Sequence, residues 1–389
     1  MLHNRGVTFI NACPSGGVES LRMLGTHIAA INTPAVTGDA VVDLRGARLI
    51  AGLINAHDHL QLNTLPPVEP PRRYNRAYEW ILEVDRRRHT DRAFAALVAV
   101  HRNDRLLVGG IKNLLSGVTT VAHHDPMYPY LSDPGFPTRV VADFGWSHSL
   151  YIDGGAKVRD SYTRTPSDRP WVIHAAEGSD AESACEFDEL ESLGCVGANT
   201  LIVHGVALDA ERQARLERAG AGLIWCPSSN MRLLGMTAVI RRLERVAIGT
   251  DSRLSGARDI LQELRVARDC SGLSDSLLES MVTWRAAQLL RLADRGALQP
   301  GLLADLVVVP AGRPLAEIER TDIRLVVIGG MARYADEALA AVMGPSGFWT
   351  GIRVDGRPRM LQRTLAATLQ AAACHEPGLH INDSTWRAA

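Results

Sequence analysis

Five polar groups stand where apolar runs end, and their types suit metal chemistry. The first run closes on His57-Asp58-His59, the second on His123-His124, another on His174-Ala175-Ala176-Glu177, and two more on His204 and Asp251. Residues two apart on a strand point the same way, so His57 and His59 face one side together. With a third imidazole from His174 and a carboxylate from Asp251 they form a nitrogen-rich, mixed-ligand set for one divalent transition metal ion. A single histidine would read as a satisfied core residue. The whole set, each member at a strand end, does not.

Such a set needs strands to carry it. The apolar segments Leu49 to Ala56, Thr119 to Ala122, Arg139 to Phe144, Trp171 to Ile173, Leu201 to Val203, Gly222 to Trp225 and Arg245 to Ile248 read as buried parallel strands, runs rather than alternations. Helical stretches separate them. Ser179-x-x-Glu182 reads as a capping box, and Asp209 as an N-cap for a helix ending at Gly220. Alternating strand and helix predicts an α/β fold, a TIM-like (β/α)8 barrel over residues 49–299. Short strands before it and after Pro300 predict a small β-sandwich built from both chain ends, 1–48 and 300–350, followed by a partly helical tail, 351–389. Between Asp143 and Pro170 the chain is short for complete third and fourth units, so a degenerate strand or helix is expected there.

Composition narrows the class. The chain has 389 residues, 46% hydrophobic and 22% charged, which supports a sizeable core and excludes disorder. A net charge of −1 gives no reason to expect nucleic acid or an anionic membrane as partner. No apolar run reaches the ~18 residues of a membrane span. Six cysteines without a CxxC pair, and no signal-like N-terminus, predict a cytoplasmic protein with reduced thiols.

The motifs Gly52-Leu53-Ile54-Asn55-Ala56-His57-Asp58-His59, His174-Ala175-Ala176-Glu177-Gly178, Leu201-Ile202-Val203-His204-Gly205, Cys226-Pro227-Ser228-Ser229-Asn230 and Gly249-Thr250-Asp251-Ser252 resemble strands one, five, six, seven and eight of the amidohydrolase superfamily. Gly301 to Val307 resembles that superfamily's return to its β-sandwich. The likeness covers about residues 40 to 310 and is nearest to triazine hydrolases, guanine deaminase and related aminohydrolases. It implies hydrolysis of a non-peptide C–N bond, with deamination of a small heterocycle foremost and amide or cyclic-amide hydrolysis as the alternative. A silent binding homologue is the remote reading, since silent relatives lose ligands and here the set is complete.

The resemblance also implies roles. One metal ion, zinc before iron, is expected on His57, His59, His174 and Asp251. Lys157, the one lysine near strand four, reads as a surface residue rather than a bridging ligand. Asp251 would accept the proton of the attacking water, Glu177 would carry it to the leaving amine or ring nitrogen, and His204 would orient the water. The usual first-strand motif is His-Thr-His, so Asp58 is a departure.

Candidate walls for a small-molecule substrate are Gln61, Trp80, His123, His124, His148 and Asn230, with His123, His124, Trp146 and His148 ending strands two and three. Arg72, Arg73 and Arg76 could meet a carboxylate or phosphate, though a charged loop surface is the plainer reading. His375-Glu376-x-x-x-His380 has the wrong spacing and content for HExxH, and the Asn382-Asp383-Ser384 sequon would go unused in a cytoplasmic tail. A homo-oligomer, a dimer, is expected.

Overall fold

The computed structural model describes residues 6–14 and 17–381, and the Asn382-Asp383-Ser384 sequon lies outside them. Strands β1 (Val7–Ile10), β2 (Leu21–Leu24), β3 (His27–Ile31) and β4 (Ala40–Asp43) form a sheet in the order β3-β2-β1-β4. After β5 (Arg48–Ala51) come eight strands that carry the predicted site: β6 (Leu53–Asp58), β7 (Val118–His123), β8 (Arg139–Val140), β9 (Gly145–Ser149), β10 (Trp171–Ala175), β11 (Thr200–His204), β12 (Gly222–Trp225) and β13 (Val246–Ile248). They lie in two parallel sheets, β6-β7-β8 and β13-β12-β11-β10-β9. Backbone bonds link β6 to the loop after β13, His59 N to Asp251 O at 3.0 Å and Asp251 N to His57 O at 3.1 Å.

The first apolar run is divided between two sheets. Leu49 to Ala56 is not one strand: β5 pairs antiparallel with β14 (Leu306–Val309), and β6 starts afresh at Leu53. The break falls at Gly52, where a Cβ would come within 2.3 Å of the Thr119 side chain. The shortness of the third unit is also accounted for. β8 holds two residues instead of the run to Phe144, and no helix separates it from β9. Trp146 and His148 therefore sit on β9, the fourth of these strands, not at the end of the second or third.

Strands β15 (Leu325–Ile328), β16 (Met331–Ala335), β17 (Trp349–Val354), β18 (Arg357–Gln362) and β19 (Leu379–Ile381) complete a seven-stranded sheet, β19-β17-β18-β16-β15-β14-β5. The segment after 350 is thus no loose tail. An Asp355-Gly356 turn, both residues at positive φ, pairs Val354 with Arg357 in a tight hairpin. Glu376 of the rejected HExxxH segment is buried, and its carboxylate accepts from Arg253 (2.8 Å) and Arg320 (2.6 Å).

Between β6 and β7 the chain makes a long excursion through helices α1 (Ala77–Thr90), α2 (Arg92–Ala99) and α3 (Arg102–Leu115). Residues 106–115 of α3 are buried, and Gly109 lets the helix approach so closely that a Cβ would lie 2.2 Å from Leu60 O. The helix after β10, Ala181–Ser192, is capped by Asp180, whose side chain accepts from Ser183 N; Ser179 is not the cap. Asp209 caps Ala210–Arg218 as expected, and Gly220 follows at φ 69°.

Candidate active site

His57, His59, His124 and His174 each offer a ring nitrogen, and these atoms lie within 4.8 Å of one another. The Nε2 atoms of His174 and His57 are 3.2 Å apart, and those of His174 and His59 3.4 Å. Facing lone pairs at this spacing suit a shared cation, so the donor set fits a divalent metal ion. Burial pushes the His57 ring down to about 4 and holds those of His124 and His174 well below their usual range, which keeps them neutral and able to ligate. Burial also acts on His59, but the Asp125 carboxylate, 2.7 Å from Nδ1, overcomes it and holds the ring up at about 9. A carboxylate behind a ligating histidine fixes its ring and raises its basicity.

Asp251 stands beside the cluster, Oδ1 at 3.7 Å from His57 Nε2 and 3.6 Å from His59 Nε2, while Ser255 Oγ donates to Oδ2. Glu177 Oε1 is 3.4 Å from His204 Nε2. Burial, reinforced by the charge of Asp251, pushes the Glu177 carboxyl well above its ordinary range, which favours its protonated form. Ala176, His204 and Asp251 all have positive φ (55°, 72° and 57°) at the ends of their strands. Non-glycine residues hold that conformation at a cost of about 1–3 kcal/mol each, and such strain gathers where side chains must be aimed.

One cavity of about 560 Å³ opens onto these groups. Of the candidate wall residues, Gln61, Trp80 and His148 line it, and His123, His124 and Asn230 do not. Neighbouring residues after β7 face opposite ways, so His124 turns into the histidine cluster while His123 Nδ1 accepts from Leu60 N at 3.3 Å. Asn230 is spent on the protein. Its Oδ1 accepts from His204 Nδ1 at 2.8 Å and its Nδ2 donates to Thr237, which orients His204 rather than a ligand. Arg72 and Arg76 are paired with Glu79 and with Asp180 and Glu182, and Arg73 bonds Met231 O. Lys157 is exposed.

The sequence reading missed the support behind the ligands. Asp58 is wholly buried, and its carboxylate accepts from Lys112 Nζ (3.2 Å), Asn113 Nδ2 (2.8 Å), Asn55 Nδ2 (3.1 Å), Thr250 Oγ1 (3.2 Å) and Asn63 Nδ2 (2.7 Å). This network ties the His57–His59 strand end to α3 and to Thr250, the neighbour of Asp251. Asp125, directly after His123-His124, was the one missed member with a visible sequence signal.

Residues 167–333 match the family model described as the amidohydrolase family. An 8-oxoguanine deaminase of Pseudomonas aeruginosa is 33% identical over 154 residues, covering 35% of this chain and 34% of the relative. A 5-methylthioadenosine/S-adenosylhomocysteine deaminase of Pyrococcus abyssi is 32% identical over 203 residues, 44% of this chain and 48% of the relative. The matches thus span about a third and a half of those proteins. An adenosine deaminase structure from Xanthomonas campestris with bound zinc superposes with a TM-score of 0.68 at 18% identity, covering 95% of this chain and 96% of that one. The fold is therefore TIM-barrel-like. Residues 167–333 are thus similar to the amidohydrolase family, and the histidine cluster supports a divalent metal.

Proposed function

We propose that the protein is a metal-dependent aminohydrolase that releases ammonia from a small heterocycle. The observation that carries this reading is that the histidine cluster and the buried Glu177 carboxyl meet at one cavity. The deaminase names of the two relatives point the same way.

In this reading His57, His59, His174 and Asp251 hold one ion, zinc before iron, and His124 is close enough to join them. A divalent cation held there would lower the pKa of water toward about 7. Asp251, its pKa held low by His57 and His59 and its Oδ2 accepting from Ser255, is the carboxylate placed to accept a proton. Glu177 delivers its proton to the ring nitrogen beside the carbon under attack, which keeps charge from building on the opened aromatic system. His204 donates through Nδ1 to Asn230, so its Nε2 lone pair faces Glu177 and holds the acid in place. Gln61 Oε1 and Trp80 Nε1, both buried without a hydrogen-bond partner, provide an acceptor and a donor for the ring.

The same reading takes the eight parallel strands as a closed barrel, residues 49–299, and both chain ends as one β-sandwich domain. The β6–β13 backbone bonds and the β5–β14 pairing support it. Six free cysteines support a cytoplasmic setting, and exposed Val239 and Trp284 leave apolar surface for a homodimer.

The test is ammonia release by zinc-loaded protein from amino-substituted purines, pyrimidines and triazines, with lactams and N-acyl amides as a counter-set. Turnover of a ring amine is expected. Hydrolysis confined to the amides would move the reading to amide chemistry, and turnover of neither would defeat it.

A further inference from the structure

The same cavity has a positively charged outer end that the reaction at the histidine cluster does not need. Arg88, Arg102 and Arg105 line it beside Tyr128. Arg88 has Asp85 at 4.0 Å, but among the described residues neither Arg102 nor Arg105 has a carboxylate partner. Most arginines near them differ in this: Arg72, Arg76, Arg86 and Arg87 are all ion-paired. The Arg102 guanidinium lies 4.2 Å from the centre of the Tyr128 ring, which occupies its face and leaves its edge donors free. Arg105 is half-buried, donating from Nε to Val100 O (3.1 Å) and from Nη1 to Gln61 O (3.3 Å), with Nη2 uncommitted. Burial foremost, and then the neighbouring Arg102, work against its charge.

This end is adjacent to the chemistry. Arg105 bonds Gln61, Gln61 Nε2 bonds Asp125 at 2.7 Å, and Asp125 bonds His59. A cavity of about 560 Å³ also has room for more than a bare ring.

Resting on the aminohydrolase reading, we infer that the substrate carries an anionic group, a carboxylate or a phosphate, on the part remote from the reacting amine, and that Arg102 and Arg105 bind it. The guanidinium edge matches both anions in two-pronged geometry. The arginines act on binding and selection, not on the bond that breaks.

The experiment uses the ring that the ammonia screen selects, in three forms: N-carboxymethyl, N-phosphonomethyl and neutral N-ethyl. Steady-state rates are measured with zinc-loaded wild type, Arg102→Gln and Arg105→Gln, with thermal melting as the folding check. At least one anionic form is expected to exceed the neutral form in kcat/KM by roughly 10- to 100-fold, the scale of one or two charged hydrogen bonds. Whichever anion leads separates carboxylate from phosphate. The preference should collapse in Arg102→Gln, since the Arg102 side chain makes no ion pair among the described residues and its contact there is with the Tyr128 ring. A neutral form turned over as well as the anionic ones, or a preference that survives Arg102→Gln, overturns the inference while leaving the aminohydrolase reading intact. Ammonia from no ring at all defeats that reading and this inference with it.

Discussion

The histidine end of the cavity is made by residues at the ends of β6, β7, β10, β11 and β13, held from behind by the buried Asp58–Lys112 network. The outer end is made by α1, α2 and the first turn of α3, an excursion that brings exposed arginines and apolar side chains such as Phe94. Three histidines at the metal end have their second ring nitrogen tied down, His59 by Asp125, His174 by the backbone of His148 and His204 by Asn230, while His57 Nδ1 has no partner among the described residues. At the outer end Trp80 Nε1 and Gln61 Oε1 have no partner among the described residues, and Arg102 lies over the Tyr128 ring. One end is preorganised for a reaction that must recur unchanged. The other keeps its polar groups for whatever arrives, so changes there should alter selection more than chemistry.

Removing the metal should have the largest effect. Dialysis against a strong chelator is expected to drop ammonia release to background, with recovery on adding back zinc. Activity that survives a measured loss of all metal would break the assignment of the inner end.

Glu177→Gln keeps shape and hydrogen bonding but cannot deliver a proton. We expect normal melting and metal content with kcat down by roughly 10²–10⁴-fold. A rate within a few-fold of wild type would favour amide hydrolysis, with Asp251 handling protons alone.

Lys112→Met removes one partner of a buried ion pair and strands the Asp58 carboxylate. The expected loss is about 3–5 kcal/mol in denaturant unfolding, accompanied by weaker metal retention. Because Lys112 touches Asn63 and Thr250 as well, unchanged metal affinity would show that the network supports the fold and not the ligands.

The smallest effect belongs to the outer wall. Trp80→Phe deletes one donor and keeps an aromatic surface, so KM should rise by about 3- to 10-fold with kcat nearly held. A fall mainly in kcat would erase the distinction between the two ends.

The ligand-bearing strand ends were legible because a buried parallel strand is an apolar run, and His57, His174, His204 and Asp251 each interrupt one abruptly. Residues joined only by the fold were not. Lys112 lies 54 positions from Asp58, on a helix that Gly109 brings against Leu60. Strand continuity through Gly52 was misjudged because Leu49–Ala51 and Leu53–Ala56 are equally apolar, and only the Thr119 contact separates them. Asn230 was a substrate candidate through the resemblance of its strand-seven motif, and its amide is bonded to His204 and Thr237. The hairpin from β17 to β18 did have a signal, Asp355-Gly356 between extended residues, which the many arginines around it obscured.

Glu376 meets Arg253 across 123 residues, two positions after Asp251. The order of synthesis gives that contact a meaning. A nascent chain can assemble the strands bearing His57, His59 and His174 while its end is still inside the ribosome. The guanidinium beside Asp251 gains this carboxylate only after Glu376, 123 residues further along, has been made. The loop at Asp251 is therefore braced later than the strands that carry the histidines, by a segment far from it in the chain.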